Sequence, residues 1–348
     1  MVKSSRISCS LNWCGVNLIT NRRPTFQPLR RWAPAYWRHL LATCYWRPLL
    51  TGAPLGFRTC EFEERSLVGK HEVYRFSYHP QTFGNRICVT VAPGEASRIK
   101  IKRLMAITSA LWDLRRLAPD LTYHDLHIES SDCGDPDVPV CVLRSVKLPG
   151  EPHALIPNLY LLAKRRRRVV ARPWARKANT AWFRGASTGS RCFEENARVR
   201  LCQLAKRIDG ADCKLTATPG VSPAFARQCA EAGLMAAPTS PAAMNAHRIL
   251  IDVDGNTSSW DRYLWTGRVG AVPLRFEPRW LEVWHRHLVE GENVVTADRS
   301  TLARHIAALR DDDARSRGIA EQARQLVRRL FAREAVLRTL AEGVAAVR

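Results

Sequence analysis

The chain reads as an α/β protein, and three observations carry that expectation. From Ala181 onward, apolar runs of strand length alternate with amphipathic segments of helix length, the order that builds a parallel sheet with helices on both faces. Two of the apolar runs, Trp182-Phe183 and Ile249-Leu250-Ile251, lead into loops rich in glycine and hydroxyls. These are Arg184-Gly185-Ala186-Ser187-Thr188-Gly189 and Asp252-Val253-Asp254-Gly255-Asn256-Thr257-Ser258-Ser259. Open α/β sheets present ligand-binding loops in this way, at the carboxyl edge. Finally, 348 residues exceed what one core usually serves, so two domains are expected.

The elements follow in order. Residues 1–60 form an extension rich in Trp, Arg and Pro, with one short amphipathic helix expected at Pro34–Arg47. Basic residues with Trp and Tyr on such a helix suit a membrane interface, and packing on the protein's own core suits them equally. A first domain is expected over 61–155, joined by a C-terminal helix within 333–348. In it, Glu72–Tyr78 alternates as a strand should. Residues 96–117 place Ile99, Leu104, Ile107, Leu111 and Leu114 on one helical face. Asp120–Ser131 reads as a strand entering the acidic loop Asp132-Cys133-Gly134-Asp135-Pro136-Asp137, and Pro139–Val146 as another. A second domain is expected over 156–332. Its strands fall at Ala181–Phe183, Arg248–Val253, Ala271–Leu274 and Asn293–Thr296. Its helices fall at Asn196–Arg207, near Ser259–Thr266, at Ser300–Arg310 and at Ala314–Phe331.

Charge and cysteine content narrow the function. Lys and Arg number 54 against 32 Asp and Glu, a net charge of +22. Residues 1–60 hold nine of the basic residues and no acidic one, and Lys164–Arg168 is an unbroken basic run. Such a chain favours polyanions: nucleic acid, anionic lipid headgroups or phosphorylated glycolipids. A merely solvated basic surface competes with all three. The eleven cysteines are scattered without CxxC or zinc spacing, which points to free, mostly buried thiols in a reducing compartment. No h-region and no run of 18 apolar residues occurs, so the expected location is the cytoplasm, with any membrane contact peripheral at its inner face.

Neither loop is a GxxxxGK[ST] or GxGxxG pattern, and spacing alone leaves their ligand open. An ordered series of blocks says more. Lys177-Ala178-Asn179-Thr180-Ala181-Trp182-Phe183-Arg184-Gly185-Ala186-Ser187-Thr188-Gly189 resembles the lysine-to-WRG block of glycosyltransferase family 90. Asn196-Ala197-Arg198-Val199-Arg200-Leu201 is similar to the arginine-bearing helix that follows it there, and Asp252-Val253-Asp254-Gly255-Asn256 to the IDGN block. Gly270–Leu274, Trp280–Trp284 and Asn293–Val295 then continue in the family's order. The resemblance spans roughly residues 120 to 330.

The resemblance implies a GT-B fold, two Rossmann-like domains facing a cleft. It implies an inverting transferase that moves a hexose or pentose from a UDP-sugar to a hydroxyl of a lipopolysaccharide or other surface glycan. No metal or other cofactor is then required. Partners would be the donor, a glycan or glycolipid acceptor and a peripheral anionic membrane, with no nucleic acid. Asp132 stands where the family has its general base, with Asp135 and Asp137 close enough to share the alignment. A base must take the acceptor proton, and donors must receive the departing diphosphate. Arg184 can fork onto phosphate oxygens, and Gly185, Ser187, Thr188, Arg198, Asp254, Gly255, Asn256, Ser259 and Arg262 complete the implied donor set. Of Arg198 and Arg200 only one can face the loop, and the family pattern favours Arg198. The arginine after the IDGN block needs a one-residue shift, because Asp261 precedes Arg262. Asp252-Val253-Asp254 is also a DxD, the metal-binding signature of another transferase architecture. Two other readings stand beside this one: a basic nucleic-acid-binding protein, which lacks any helix-turn-helix, RRM or zinc-finger signature, and a degenerate transferase without catalysis.

Overall fold

In the computed structural model, the described residues are 9–12, 19–20, 56–57, 73–78, 88–90, individual positions between 106 and 120, 121–129, 143–159, and 170–347 except Trp260. The expected helix at Pro34–Arg47, the basic run at Lys164–Arg168 and the acidic loop with Asp132, Asp135 and Asp137 lie outside them. Among the described residues no helix is long and apolar enough to cross a membrane. The chain divides into two compact units, residues 1–167 with 333–348, and residues 168–332.

The first unit contains a small antiparallel sheet in which β1 (Cys9–Asn12) lies between β2 (Ile19–Thr20) and β3 (Gly56–Phe57). Its larger sheet joins β4 (Val73–Tyr78), β5 (Cys88–Thr90), β6 (Tyr123–Glu129), β7 (Leu143–Arg144) and β8 (Ala154–Leu155) in the order β5-β4-β6-β7-β8. The sheet is mixed: β4 runs antiparallel to β5 and β6, whereas β6, β7 and β8 are parallel. The alternation expected at Glu72–Tyr78 falls on a strand, Val73–Tyr78. Within the helix expected at 96–117, the described residues from 106 onward are helical, and Ile107, Leu111 and Leu114 are buried as their spacing requires. The C-terminal helix, Arg333–Ala346, belongs to this unit, and Arg333 pairs at 2.7 Å with the fully buried carboxylate of Asp113. Arg144, 1% exposed, pairs with Glu129 and with Glu151, so no lone charge is buried there.

The second unit is a parallel α/β layer structure. Its elements are β9 (Ala178–Ala186), α1 (Ala197–Ala205), β10 (Ala211–Ala217), α2 (Pro223–Glu231), β11 (His247–Val253), α3 (Arg262–Val269), β12 (Val272–Phe276), β13 (Val295–Ala297), α4 (Leu302–Asp311) and α5 (Asp313–Leu330). The sheet order is β10-β9-β11-β12-β13, and every pairing is parallel. Covered on both faces, β11 from Ile249 to Val253 and all of β12 are buried at every position rather than at alternate ones. On one face Ala181, Phe183 and Ile251 pack with Val199 of α1 and Ile306 of α4, and on the other Trp182 and Leu250 pack with Trp265 and Val269 of α3.

The structure corrects several element expectations. β9 runs six residues longer than the strand expected at Ala181–Phe183, because its ends are half-polar. α3 starts at Arg262 rather than Ser259, since 254–259 are held in a loop by contacts described below. β10 and α2 had no strong periodic signal. β10 buries only Cys213 and Leu215, and the residues following α2 extend the sheet by a bridge between Leu215 and Met235.

Candidate functional site

Strand order locates the site. In chain order the sheet reads second, first, third, fourth, fifth, so the winding reverses between β9 and β11. Ligands of open α/β sheets settle outside the carboxyl ends of the strands at such a reversal. The two glycine-and-hydroxyl loops leave β9 and β11 at that point, and α1 and α3 begin there.

The loops touch. Gly189 N donates to Asn256 Oδ1 at 3.0 Å. A Cβ on Gly255 would run into Thr188 Oγ1 and lie 2.8 Å from Arg198 Nη2, so glycine leaves these two side chains room, and a Cβ on Gly189 would lie 3.2 Å from Gly255 O. Gly189, at φ +117°, supplies the other half of the contact. Asn196, fully buried, caps α1: its Oδ1 accepts from Arg198 N and Val199 N, while its Nδ2 donates to Ser187 O and Ser190 O. One amide side chain thus shapes the first loop and satisfies two orphan helix donors.

Behind the second loop lies a set of buried ionisable groups. Asp254 Oδ2 accepts from Arg279 N at 2.7 Å and Trp280 N at 3.1 Å, and burial pushes its carboxyl up to about 6 despite those bonds. Asp252 accepts from Ser259 Oγ and pairs with Arg275 Nε at 3.7 Å. Glu282, 5% exposed, accepts from Trp284 Nε1 and bonds Ser258, yet burial pushes it up to about 8. His285 closes a reciprocal cap with Glu282, and burial holds it down at about 2, so its ring is neutral. The aspartates of the DxD are therefore engaged by amides, a hydroxyl and a guanidinium. Among the described residues no group of three His, Cys, Asp or Glu could hold a metal ion.

The structure brings Gly185, Ser187, Thr188, Arg198, Asp254, Gly255, Asn256, Ser259 and Arg262 together at this edge. Arg262, the first residue of α3, donates from Nη2 to Arg184 O at 2.7 Å and from Nη1 to Met244 Sδ at 3.7 Å, and its guanidinium lies 5.5 Å from the Phe183 ring centre. Burial lowers its pKa, and Asp252 and Asp261 oppose that shift. Arg184 is also at this edge, but its guanidinium turns along the sheet, where Nη2 donates to both carboxylate oxygens of Asp212 on β10 at 2.7 and 2.9 Å. Among the described residues, the buried Ser187 Oγ has no hydrogen-bond partner. Arg200 takes no part in the contact between the loops: it pairs with Glu277 at 2.6 Å and donates to Glu194 O and Glu195 O, just before α1. Asp132 lies outside the described residues.

Sequence reasoning missed Asn196, Asp212, Arg275 and Glu282. Asn196 had a legible signal, an amide immediately before an apolar helical period. The others had none, because their role depends on which strands become neighbours. Cys202, Cys213 and Cys229 are buried free thiols, and burial pushes Cys202 up to about 12.

No protein-family model and no curated protein matches the chain. Among solved structures, the chain is similar to sucrose-phosphate synthase of Thermosynechococcus elongatus at 12% identity, covering 81% of this chain and 86% of that one, with a TM-score of 0.40. It is similar to Anabaena HepE in complex with UDP-glucose at 14% identity, 48% and 49% coverage and a TM-score of 0.36. TarM matches at 9% identity over 51% of this chain with a TM-score of 0.38, and the chain spans only 37% of TarM's length.

Proposed function

We propose that the chain is a glycosyltransferase of the GT-B type and that the β9/β11 edge of its second unit binds the diphosphate of a UDP-sugar. One observation carries the reading: two glycine-and-hydroxyl loops meet at a strand-order reversal where α3 begins with Arg262. Helix amino ends favour anions, and a guanidinium that keeps N–H groups beyond two local bonds can meet phosphate oxygens. Ser187, Asn256 and Ser259 would add donors around it, and Gly185 and Gly255 would let a ligand come close to the backbone. The order of sequence blocks, from Lys177 to Val295, supports uridine diphosphate as the carrier and a family 90-like reaction.

In that reaction Asp132 deprotonates the acceptor hydroxyl, which displaces the diphosphate at the anomeric carbon in one inverting step. The proposed sugar is a hexose or pentose and the acceptor a lipopolysaccharide or related surface glycan met at the inner face of a membrane. Engagement of Asp252 and Asp254 by protein groups supports a reaction without a divalent ion. A thermal-shift panel of nucleotides and nucleotide sugars tests the class, because a ligand that binds only the native state raises the midpoint. UDP-sugars and UDP are expected to raise it by several degrees with and without EDTA. Stabilisation only by duplex or RNA would replace this reading with a nucleic-acid-binding one, and stabilisation only with manganese would restore the DxD as a metal site.

A further inference from the structure

Arg198 is the side chain that both loops share. From the second residue of α1, its Nη1 donates to Ala186 O at 2.8 Å and Thr188 Oγ1 at 2.7 Å, on the first loop. Its Nε donates to Asp254 O at 3.1 Å and its Nη2 to Val253 O at 3.2 Å, on the second. A guanidinium has five N–H groups in a fixed fork. Four are spent on protein oxygens, two where β9 passes into its loop and two where β11 passes into its own, and a single N–H cannot make the paired contact that lets arginine grip a phosphate. The Phe183 ring, 6.0 Å from the guanidinium carbon, flanks the same group. Around it stand Arg262, Asp252, Asp254 and the buried thiol of Cys202.

We infer that Arg198 is a positioning residue: it staples the loop after β9 to the loop after β11 and leaves the donor phosphates to other groups. Breaking the staple should release both loops together. Part of the test rests on the proposed UDP site and part does not. Amide hydrogen exchange on the ligand-free Arg198→Lys protein reads the staple directly. Lysine keeps the charge but cannot reach four divergent acceptors, so exchange at 186–189 and at 253–257 is expected to accelerate together by about tenfold or more, with β12 and α4 unchanged. Unchanged exchange, or acceleration in one loop alone, would overturn the inference. In the second arm, UDP and uridine affinities are expected to fall by the same factor. Loss of UDP binding alone, with uridine unaffected, would show that Arg198 holds phosphate. If wild-type protein binds neither, the donor reading fails and the exchange result still decides the staple. Should Arg198→Lys not fold, Thr188→Val removes one acceptor while keeping the guanidinium. Faster exchange at 253–257 is then expected, and none would contradict the staple.

Discussion

At the scale of single residues, Glu282 shows how burial converts an acid into a pH-dependent cost. Its carboxyl sits near 8, mainly through burial, with Asp252 raising it further and the bonds from Trp284 and Ser258 and the charge of Arg275 pulling it down. Unfolded, it would titrate near the ordinary glutamate value of 4.5. Between those values the folded chain holds a proton that the unfolded chain releases, so stability falls as pH rises and levels off above about 8. Asp254 acts in the same direction but is finished by about pH 6, and His285, already neutral when folded, opposes both only below about 6.5. Of these three groups only Glu282 titrates between pH 6.5 and 8, and Lys177, which burial lowers to about 8, opposes it toward the upper end of that window. Glu282→Gln is expected to flatten the decline in melting temperature across that window and to be at least as stable as wild type at pH 8. A variant that keeps the full decline would place the titrating group elsewhere.

At the scale of elements, periodicity made most of the second unit legible, and local chemistry set the ends. The short apolar runs expected as strands at Arg248–Val253 and Ala271–Leu274 are interior strands of the sheet, His247–Val253 and Val272–Phe276. Helices α4 and α5 fall within a few residues of their expected bounds, because each buries a regular stripe such as Leu302, Ile306 and Leu309. β10 escaped notice because an edge strand with polar alternate positions carries little apolar signal. The site was legible as two motifs, since glycine, hydroxyl and arginine residues announce a close backbone approach. Its interior was not. That Arg184 answers Asp212, or that Asp254 accepts from the amides of residues 279 and 280, follows only from strand order. The mixed pairing of the first unit was likewise invisible, because alternation specifies a strand and its face but not the direction of its neighbour.

At the scale of the whole molecule, the proposed reaction divides its work between the units: donor recognition on the parallel sheet, and the base, Asp132, in the first unit's chain. Asp132→Asn keeps shape and hydrogen bonding but cannot take a proton. Turnover of a UDP-sugar is expected to fall by about 10²–10⁴-fold with donor affinity nearly unchanged. Near-normal turnover would move the base to Asp135 or Asp137. The most direct test of the central claim concerns the anion seat itself, and it is a calorimetric titration of UDP and of uridine into wild type and Arg262→Ala. A charged hydrogen-bonded contact contributes about 1.5–3 kcal/mol, on the order of tenfold to a hundredfold in affinity. UDP should therefore bind wild type at least about tenfold more tightly than uridine, and Arg262→Ala should erase most of that difference while leaving uridine affinity within about a factor of two. UDP binding that survives Arg262→Ala unchanged, or that never exceeds uridine binding in wild type, would contradict a diphosphate seat at the β9/β11 edge.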